Sequence, residues 1–308
     1  MSDARPILFQ LAPHPLAGHL CDQLGLEPGH FDSRHFPDGE TYLRVTTAVK
    51  DRHIIILADL SNPDSKFLPL VFLAGTLRDL GAVSVGLVSP YLPYMRQDRR
   101  FHDGEAITSR LFARLLSKQI DWLVTVDPHL HRYHSLDQIY TVPSTVVQAA
   151  PALAQWLKDQ PDLLLVGPDA ESEQWVAGIA AVGGHPSVVA SKTRFGDREV
   201  QVTLPDLDQY QGRHAVIVDD VISSGQTIMQ CMKVLQQRGF NHISCVAVHG
   251  IFADQCDVRL KNAGLEQLAT CNTIVHDSNA VDVSALLGKA IGERLLAFGV
   301  ATVAAPPA

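Results

Sequence analysis

Short apolar segments recur along the chain at His53–Ala58, Val83–Val88, Trp122–Val126, Leu163–Val166, Ser187–Ala190, Ala215–Val218 and Ile243–Val248. Each is rich in β-branched residues, is bounded by polar, Gly or Pro positions, and shows no polar–apolar alternation. Strands with this pattern are buried on both faces of a parallel sheet. Helical patterns lie between them, as at Leu68–Leu80 closed by Gly81 and Ile228–Arg238 closed by Gly239, where glycine marks the stop. The pattern predicts an α/β fold of mainly parallel sheets flanked by helices. A boundary near Pro143–Pro151 leaves each half a full set of signals, giving domains 1–147 and 148–308. The segments TVDPH at 125–129 and IVDDV at 217–221 both close an apolar strand with acidic residues, which suggests an internal duplication.

Length supports this division: 308 residues, 46% hydrophobic, suffice for two cores of about 150 residues each. The tail from Val300 is a run of small residues and proline, expected either to pack back or to fray. No basic start followed by an apolar run opens the chain, and no apolar stretch approaches a bilayer span, so a soluble, cytoplasmic protein with no membrane partner is expected. The five cysteines are odd in number and form no close pair, which suggests neither a disulfide framework nor a thiolate zinc site. A net charge of -8 argues against a general nucleic-acid binder. Local basic clusters at Arg96–Arg100 and Lys192–Arg198 instead suit a small anionic substrate.

The sharpest chemical signal is Val216–Thr227, an apolar strand ending in Asp219 and Asp220, then a loop of small hydroxyls and glycine, then a helix. Backbone amides of Ser223, Ser224, Gly225, Gln226 and Thr227, with the hydroxyls of Ser223, Ser224 and Thr227, can surround a phosphate at the positive end of the helix. Asp219 and Asp220 can accept hydrogen bonds from a diol, directly or through Mg²⁺. A ribose 5-phosphate fits both halves. An ordinary capped helix is the bland alternative. Elsewhere the residues alone leave alternatives open: Phe36-Pro37-Asp38-Gly39-Glu40 reads as a turn before a strand at Tyr42–Val45, and His129, His131 and His134 with Asp127 allow a zinc cluster.

The 219–227 loop resembles the phosphoribosyl pyrophosphate loop of type I phosphoribosyltransferases and of ribose-phosphate pyrophosphokinases. The other segments separate the two families. His35–Thr41 is similar to the Phe-x-Asp-x-Glu stretch of the pyrophosphokinases, Tyr94–Arg100 to their Ala-Arg-Gln-Asp-Arg, Val126–His129 to their Val-Asp-Leu-His, Gly167–Asp169 to their Ser-Pro-Asp, and Lys192–Arg194 to their Lys-x-Arg. The segments occur in family order. The chain is thus identified as a divergent member of the ribose-phosphate pyrophosphokinase family, which implies two phosphoribosyltransferase-like domains.

The resemblance implies transfer of the pyrophosphoryl group of ATP to the 1-hydroxyl of ribose 5-phosphate. It implies an ATP site made of Phe36, Asp38, Gly39, Glu40, Arg96 and Gln97, and Mg²⁺ held by His129 and Asp169. Lys192 and Arg194 are then catalytic cations on a mobile loop, and Arg194 shares the ribose 5-phosphate with Asp219, Asp220 and residues 223–227. Phe36, Asp38 and Glu40 are expected to reach the ATP of a neighbouring subunit in a homo-oligomer with a shared active site. A catalytically silent regulatory homologue and a phosphoribosyltransferase are the competing functions. The sequence departs from the family at Ala170–Gln174, where many members have a glycine pair, at Ser223 for a frequent aspartate and at Gln226 for a frequent glycine. Ser223, the departure at Glu171–Glu173 and the tail lead us to expect activity without inorganic phosphate.

Overall fold

The structure is a computed structural model and describes residues 5–195 and 199–300. The chain forms two compact units: residues up to Val147 together with those from Ser284 onward, and Gln148–Val283.

Among the described residues, the first unit holds β1 (Ile7–Gln10), β2 (Glu27–Gly29), β3 (Phe31–His35), β4 (Thr41–Val45), β5 (His53–Leu57), β6 (Ser84–Ser89), β7 (Trp122–Val126) and β8 (Ser144–Val147). A parallel sheet runs in the order β2-β1-β5-β6-β7-β8, while β3 and β4 pair as a separate antiparallel ribbon. Helices α1 (Leu16–Leu24), α2 (Pro63–Asp79) and α3 (Thr108–Leu116) complete the crossovers. Ile54–Leu57 and all of β6 and β7 are buried, as strands covered on both faces must be. Gly86 is required in β6 because the Trp122 indole fills the place of a side chain: a β-carbon there lies 1.9 Å from Cε2. Helix α2 begins five residues before the predicted start, at Pro63, whose ring suits the first helical turn.

The second unit repeats this plan with β9 (Leu163–Gly167), β10 (Ser187–Val189), β11 (Ser191–Phe195), β12 (Glu199–Thr203), β13 (His214–Ile222), β14 (Ile243–Gly250), β15 (Gln267–Cys271) and β16 (Asn279–Val281). Its parallel sheet runs β10-β9-β13-β14-β15-β16, with β11 and β12 as an antiparallel ribbon. The helices are α4 (Ala150–Leu157), α5 (Glu173–Gly183), α6 (Gln226–Gln237) and α7 (Cys256–Asn262). The last helix, α8 (Ser284–Ala297), falls within the predicted second domain, 148–308, yet belongs to the first unit. There Arg294 Nε donates to Thr145 Oγ1 at 2.7 Å and its Nη2 to Ser144 O at 2.9 Å.

The two sheet orders correspond strand for strand, so β13 is the counterpart of β5, and β15 of β7. This corrects the predicted form of the duplication. The TVDPH and IVDDV segments end β7 and β13, which hold different positions in their sheets. The counterpart of the 219–227 loop is Asp59–Asp64.

Candidate active site

In the second unit, β9 and β13 are neighbours whose crossovers leave in opposite directions, to β10 and to β14. Open α/β sheets bind ligands at the carboxyl ends of such a pair. The loops at those ends are Gly167-Pro168-Asp169 and Asp219–Thr227, so the fold brings together the predicted Asp169, Asp219, Asp220 and the phosphate loop.

Gly225 caps α6 in the left-handed conformation, φ 71°, and its carbonyl accepts the first intrahelical bond, from Met229 N at 2.9 Å. The amides at the start of α6 have no partner inside the helix, and they sit at its positive end. Ser224 and Gln226 are exposed, Ser223 and Thr227 half-buried, and Gly225 buried. A β-carbon on Gly225 meets Cys256 Cβ at 3.1 Å and Cys256 Sγ at 3.3 Å. The glycine therefore serves the turn and the packing beneath it, and a side chain added there faces α7.

The backbone amide of Asp220 donates to Asp219 Oδ1 at 3.0 Å. Burial raises the Asp219 carboxyl well above its ordinary range, and the charges of Asp220 and then Asp169 raise it further. Carboxylates whose charges reach one another in this way are relieved by a hydrogen-bonding diol or by a cation nearby. Among the described residues, no group of three His, Cys, Asp or Glu is arranged to hold a metal by itself. His129, His131, His134 and Asp127 are not gathered into such a group in this structure. A metal bound through one or two protein ligands and substrate phosphates, the habit of Mg²⁺, remains compatible. In the departing segment, Ala170–Ser172 forms a 3-10 turn whose Ser172 Oγ donates to Asp169 O at 2.6 Å and packs on Gly167.

Lys192 and Arg194 lie on β11, which pairs with β12 in the register Lys192↔Val202 and Arg194↔Val200. The predicted loop is thus the first strand of a ribbon. The side chains of both residues lie outside the described parts of the structure.

In the first unit the predicted residues occupy three places. The turn at Phe36–Glu40 joins β3 to β4, and all five residues are exposed. Phe36 N donates to Glu40 O at 2.8 Å, Glu40 N to Asp38 Oδ1 at 3.1 Å, and Gly39 takes φ 91°. The Arg34 guanidinium stands 4.6 Å from the ring centres of both Phe36 and Tyr42, fixing the aromatic at the ribbon tip.

After β6, Arg96 is exposed and Gln97 half-buried, with Gln97 Oε1 accepting from Thr108 Oγ1 at 2.9 Å. Asp98, buried in the same motif, accepts both Arg132 Nη1 bonds at 2.8 and 3.0 Å. The Tyr133 hydroxyl donates to Asp98 O at 3.2 Å. The loop carrying Arg96 is thereby tied to the loop carrying His129. His129 and Asp127 both have positive φ, 52° and 31°, directly after β7. Strained backbone at a strand end is a mark of functional loops. Arg132 and Tyr133 carried no sequence signal, since their roles depend on a pairing across 34 and 35 residues.

The Asp59–Asp64 loop, counterpart of 219–227, is closed on itself. Lys66 Nζ donates to Asp59 O at 2.9 Å, to Asp59 Oδ2 at 3.0 Å and to Ser61 Oγ at 3.1 Å. Tyr94 donates to Asp64, and this bond, ahead of burial and the Asp64 charge, pushes the phenol up to about 12. The loop thus supports the Arg96 loop through its own residues.

Comparison with known proteins agrees with this architecture. Residues 7–119 match the N-terminal domain of ribose phosphate pyrophosphokinase, and residues 135–285 match the phosphoribosyl transferase domain. A ribose-phosphate pyrophosphokinase of Methanobrevibacter smithii is 31% identical over 286 residues, covering 89% of this chain and 95% of the relative. One from Saccharolobus solfataricus is 32% identical over 259 residues, covering 82% and 87%. The crystal structure of phosphoribosylpyrophosphate synthetase from Mycobacterium smegmatis has the same fold, with a TM-score of 0.82, 23% identity, and coverage of 96% of this chain and 100% of that chain.

Proposed function

Since the chain belongs to the ribose-phosphate pyrophosphokinase family, we propose that it transfers the pyrophosphoryl group of ATP to the 1-hydroxyl of ribose 5-phosphate, releasing AMP. The observation that carries this reading is the end of β13. A left-handed glycine opens a helix over hydroxyl residues, and two carboxylates precede it. The 5-phosphate is assigned to the amides and hydroxyls of 223–227, and the ribose diol to Asp219 and Asp220. ATP is assigned to Arg96 and Gln97, whose forks suit phosphate oxygens and the base. Phe36, Asp38, Gly39 and Glu40 are assigned to ATP held by a neighbouring copy, and their full exposure at a ribbon tip supports this.

The 1-hydroxyl oxygen attacks the β-phosphorus in line, and the α–β bridging oxygen leaves with AMP. No covalent enzyme intermediate is required, because positioning and charge neutralisation carry such transfers. Lys192 and Arg194 are assigned to the charge that shifts onto the transferred group and the leaving oxygen. Bound Mg²⁺ supplies charge neutralisation on phosphate oxygens, and His129 and Asp169 are the residues assigned to it. The chain is expected to work as a homo-oligomer in the cytoplasm. Among the described residues, no helix is long and apolar enough to cross a membrane.

The test is AMP production by the purified protein with ATP and Mg²⁺, with and without ribose 5-phosphate. The expected result is AMP formed one for one with phosphoribosyl pyrophosphate and only when the sugar phosphate is present. Binding of both substrates without AMP would make the chain a silent homologue.

A further inference from the structure

We infer that Arg259, at a distance in sequence from every residue assigned above, is a positioning residue that aims the phosphate loop at its ligand. The inference rests on the 219–227 loop being the ribose 5-phosphate site.

The carbonyls of Ile222, Ser223 and Ser224 are all engaged. Ile222 O accepts from Ile251 N at 2.9 Å and Phe252 N at 3.2 Å. Ser223 O accepts from Ala253 N at 2.9 Å and from Cys256 Sγ at 3.0 Å. Ser224 O accepts from Arg259 Nη2 at 3.0 Å, while Arg259 Nη1 donates to Asp254 O at 2.9 Å. A trans peptide is planar, so the carbonyl of one residue and the amide of the next point in opposite directions. Holding Ser223 O turns the Ser224 N–H away from the 251–259 segment, and holding Ser224 O does the same for the Gly225 N–H. These amides open the phosphate loop. The guanidinium, a planar fork, bridges the two carbonyls with donors on separate nitrogens at a fixed spacing.

The supporting segment is itself strained. Phe252, Asp254 and Gln255 adopt φ of 51°, 53° and 55°, a left-handed conformation that non-glycine residues avoid at about 1 kcal/mol or more each. Three such residues within four positions persist only where the surroundings hold them. Their geometry delivers Ala253 N, Cys256 Sγ and Arg259 to the loop's rear. Ser223 O has two donors, whereas Ser224 O is held by the Arg259 guanidinium, 35 positions away.

The experiment is calorimetric titration of Arg259→Ala, Arg259→Lys and Gly225→Ala with ribose 5-phosphate and, separately, with Mg·ATP, beside steady-state kinetics. Arg259→Ala is expected to weaken ribose 5-phosphate binding about tenfold, leaving Mg·ATP affinity and kcat at saturation within about twofold. Arg259→Lys is expected to recover only part of the loss, because its three donors radiate from one nitrogen on a shorter reach and lack the fixed spacing of the fork. Ribose 5-phosphate affinity within twofold of wild type in folded Arg259→Ala overturns the inference, as does complete recovery in Arg259→Lys, which would make the effect one of charge alone. An equal loss for Mg·ATP would also overturn it. If Gly225→Ala likewise leaves sugar phosphate affinity unchanged, the loop assignment itself falls. If Gly225→Ala weakens it while Arg259→Ala does not, only the role of Arg259 falls.

Discussion

Replacing Gly225 by alanine perturbs the phosphate loop at its most constrained point. The residue has φ 71° and ψ 4°, a conformation in which an L side chain crowds its own carbonyl, at roughly 1–2 kcal/mol. The new β-carbon also meets Cys256 Cβ at 3.1 Å and Leu260 Cδ1 at 3.5 Å, so α7 must yield by a few tenths of an ångström. The total is about 2 kcal/mol. For a protein of this size that lowers the melting temperature by about 3 °C. If the free loop opens to relieve the strain, ribose 5-phosphate must restore it on binding, and its Kd rises by up to about thirtyfold. Nucleotide affinity should not change, because the ATP residues belong to the other unit. Adding Cys256→Ala removes the Sγ contact at 3.3 Å but keeps the Cβ contact at 3.1 Å and the backbone strain, and it loses the Sγ bond to Ser223 O, so it should return less than half of the loss. Thermal melts and calorimetry with each substrate measure all of this. A melting temperature and a sugar phosphate Kd both indistinguishable from wild type would refute the reasoning. Full recovery on adding Cys256→Ala would show that packing, and not the dihedral, is what glycine serves.

Four further outcomes are expected. Lys192→Ala and Arg194→Ala should each lower kcat by on the order of 10² to 10³, about 3–4 kcal/mol, with little change in Mg·ATP affinity; a loss of tenfold or less in steady-state kinetics for both removes the catalytic role. Asp98→Asn should weaken the hold on Arg132, destabilising the first unit by about 1–2 kcal/mol given the half-exposed partner, and should raise the KM for ATP more than that for ribose 5-phosphate. Burial, ahead of the charges of Asp220 and Asp169, raises the folded pKa of Asp219 above its ordinary carboxyl value, so its folded form favours the proton. Its contribution is full below that value and is lost as pH rises through the folded pKa. Asp219→Asn should therefore melt higher than wild type at neutral pH without ligand, lose this advantage near pH 4, and bind ribose 5-phosphate poorly. Finally, activity in phosphate-free buffer should match that with added inorganic phosphate; a large activation would remove the expectation drawn from Ser223, the 170–174 departure and the tail.

Residue types and spacing were enough to read the core of the sheets. His53–Leu57, Trp122–Val126 and Leu163–Gly167 are continuous apolar runs because both their faces are covered, and such strands carry their burial in their own composition. The short strands β2 and β16, at three residues each, carry too little pattern to stand out. Lys192–Arg194 read as a loop because its strand character comes from pairing with β12, a partner outside the segment.

For the site, the strand-end signals of Asp169, Asp219, Asp220 and the 223–227 loop were legible, since a glycine between hydroxyls at a helix start is local chemistry. Sheet order was not local. Only the fold shows that Asp59–Asp64, and not the segment ending β7, is the counterpart of the phosphate loop. Only the fold places α8 on the first unit and turns Asp98 into the anchor of Arg132. Arg259 belongs with these: its fork acts on carbonyls that chain topology, through β14 and the strained turn at 252–255, brings behind the loop. The physical reason is the same in each case. Local sequence determines which segments must be buried and which can cap or turn, whereas the groups that meet across a fold depend on which strands pair, and that is decided by burying both sheet faces at once.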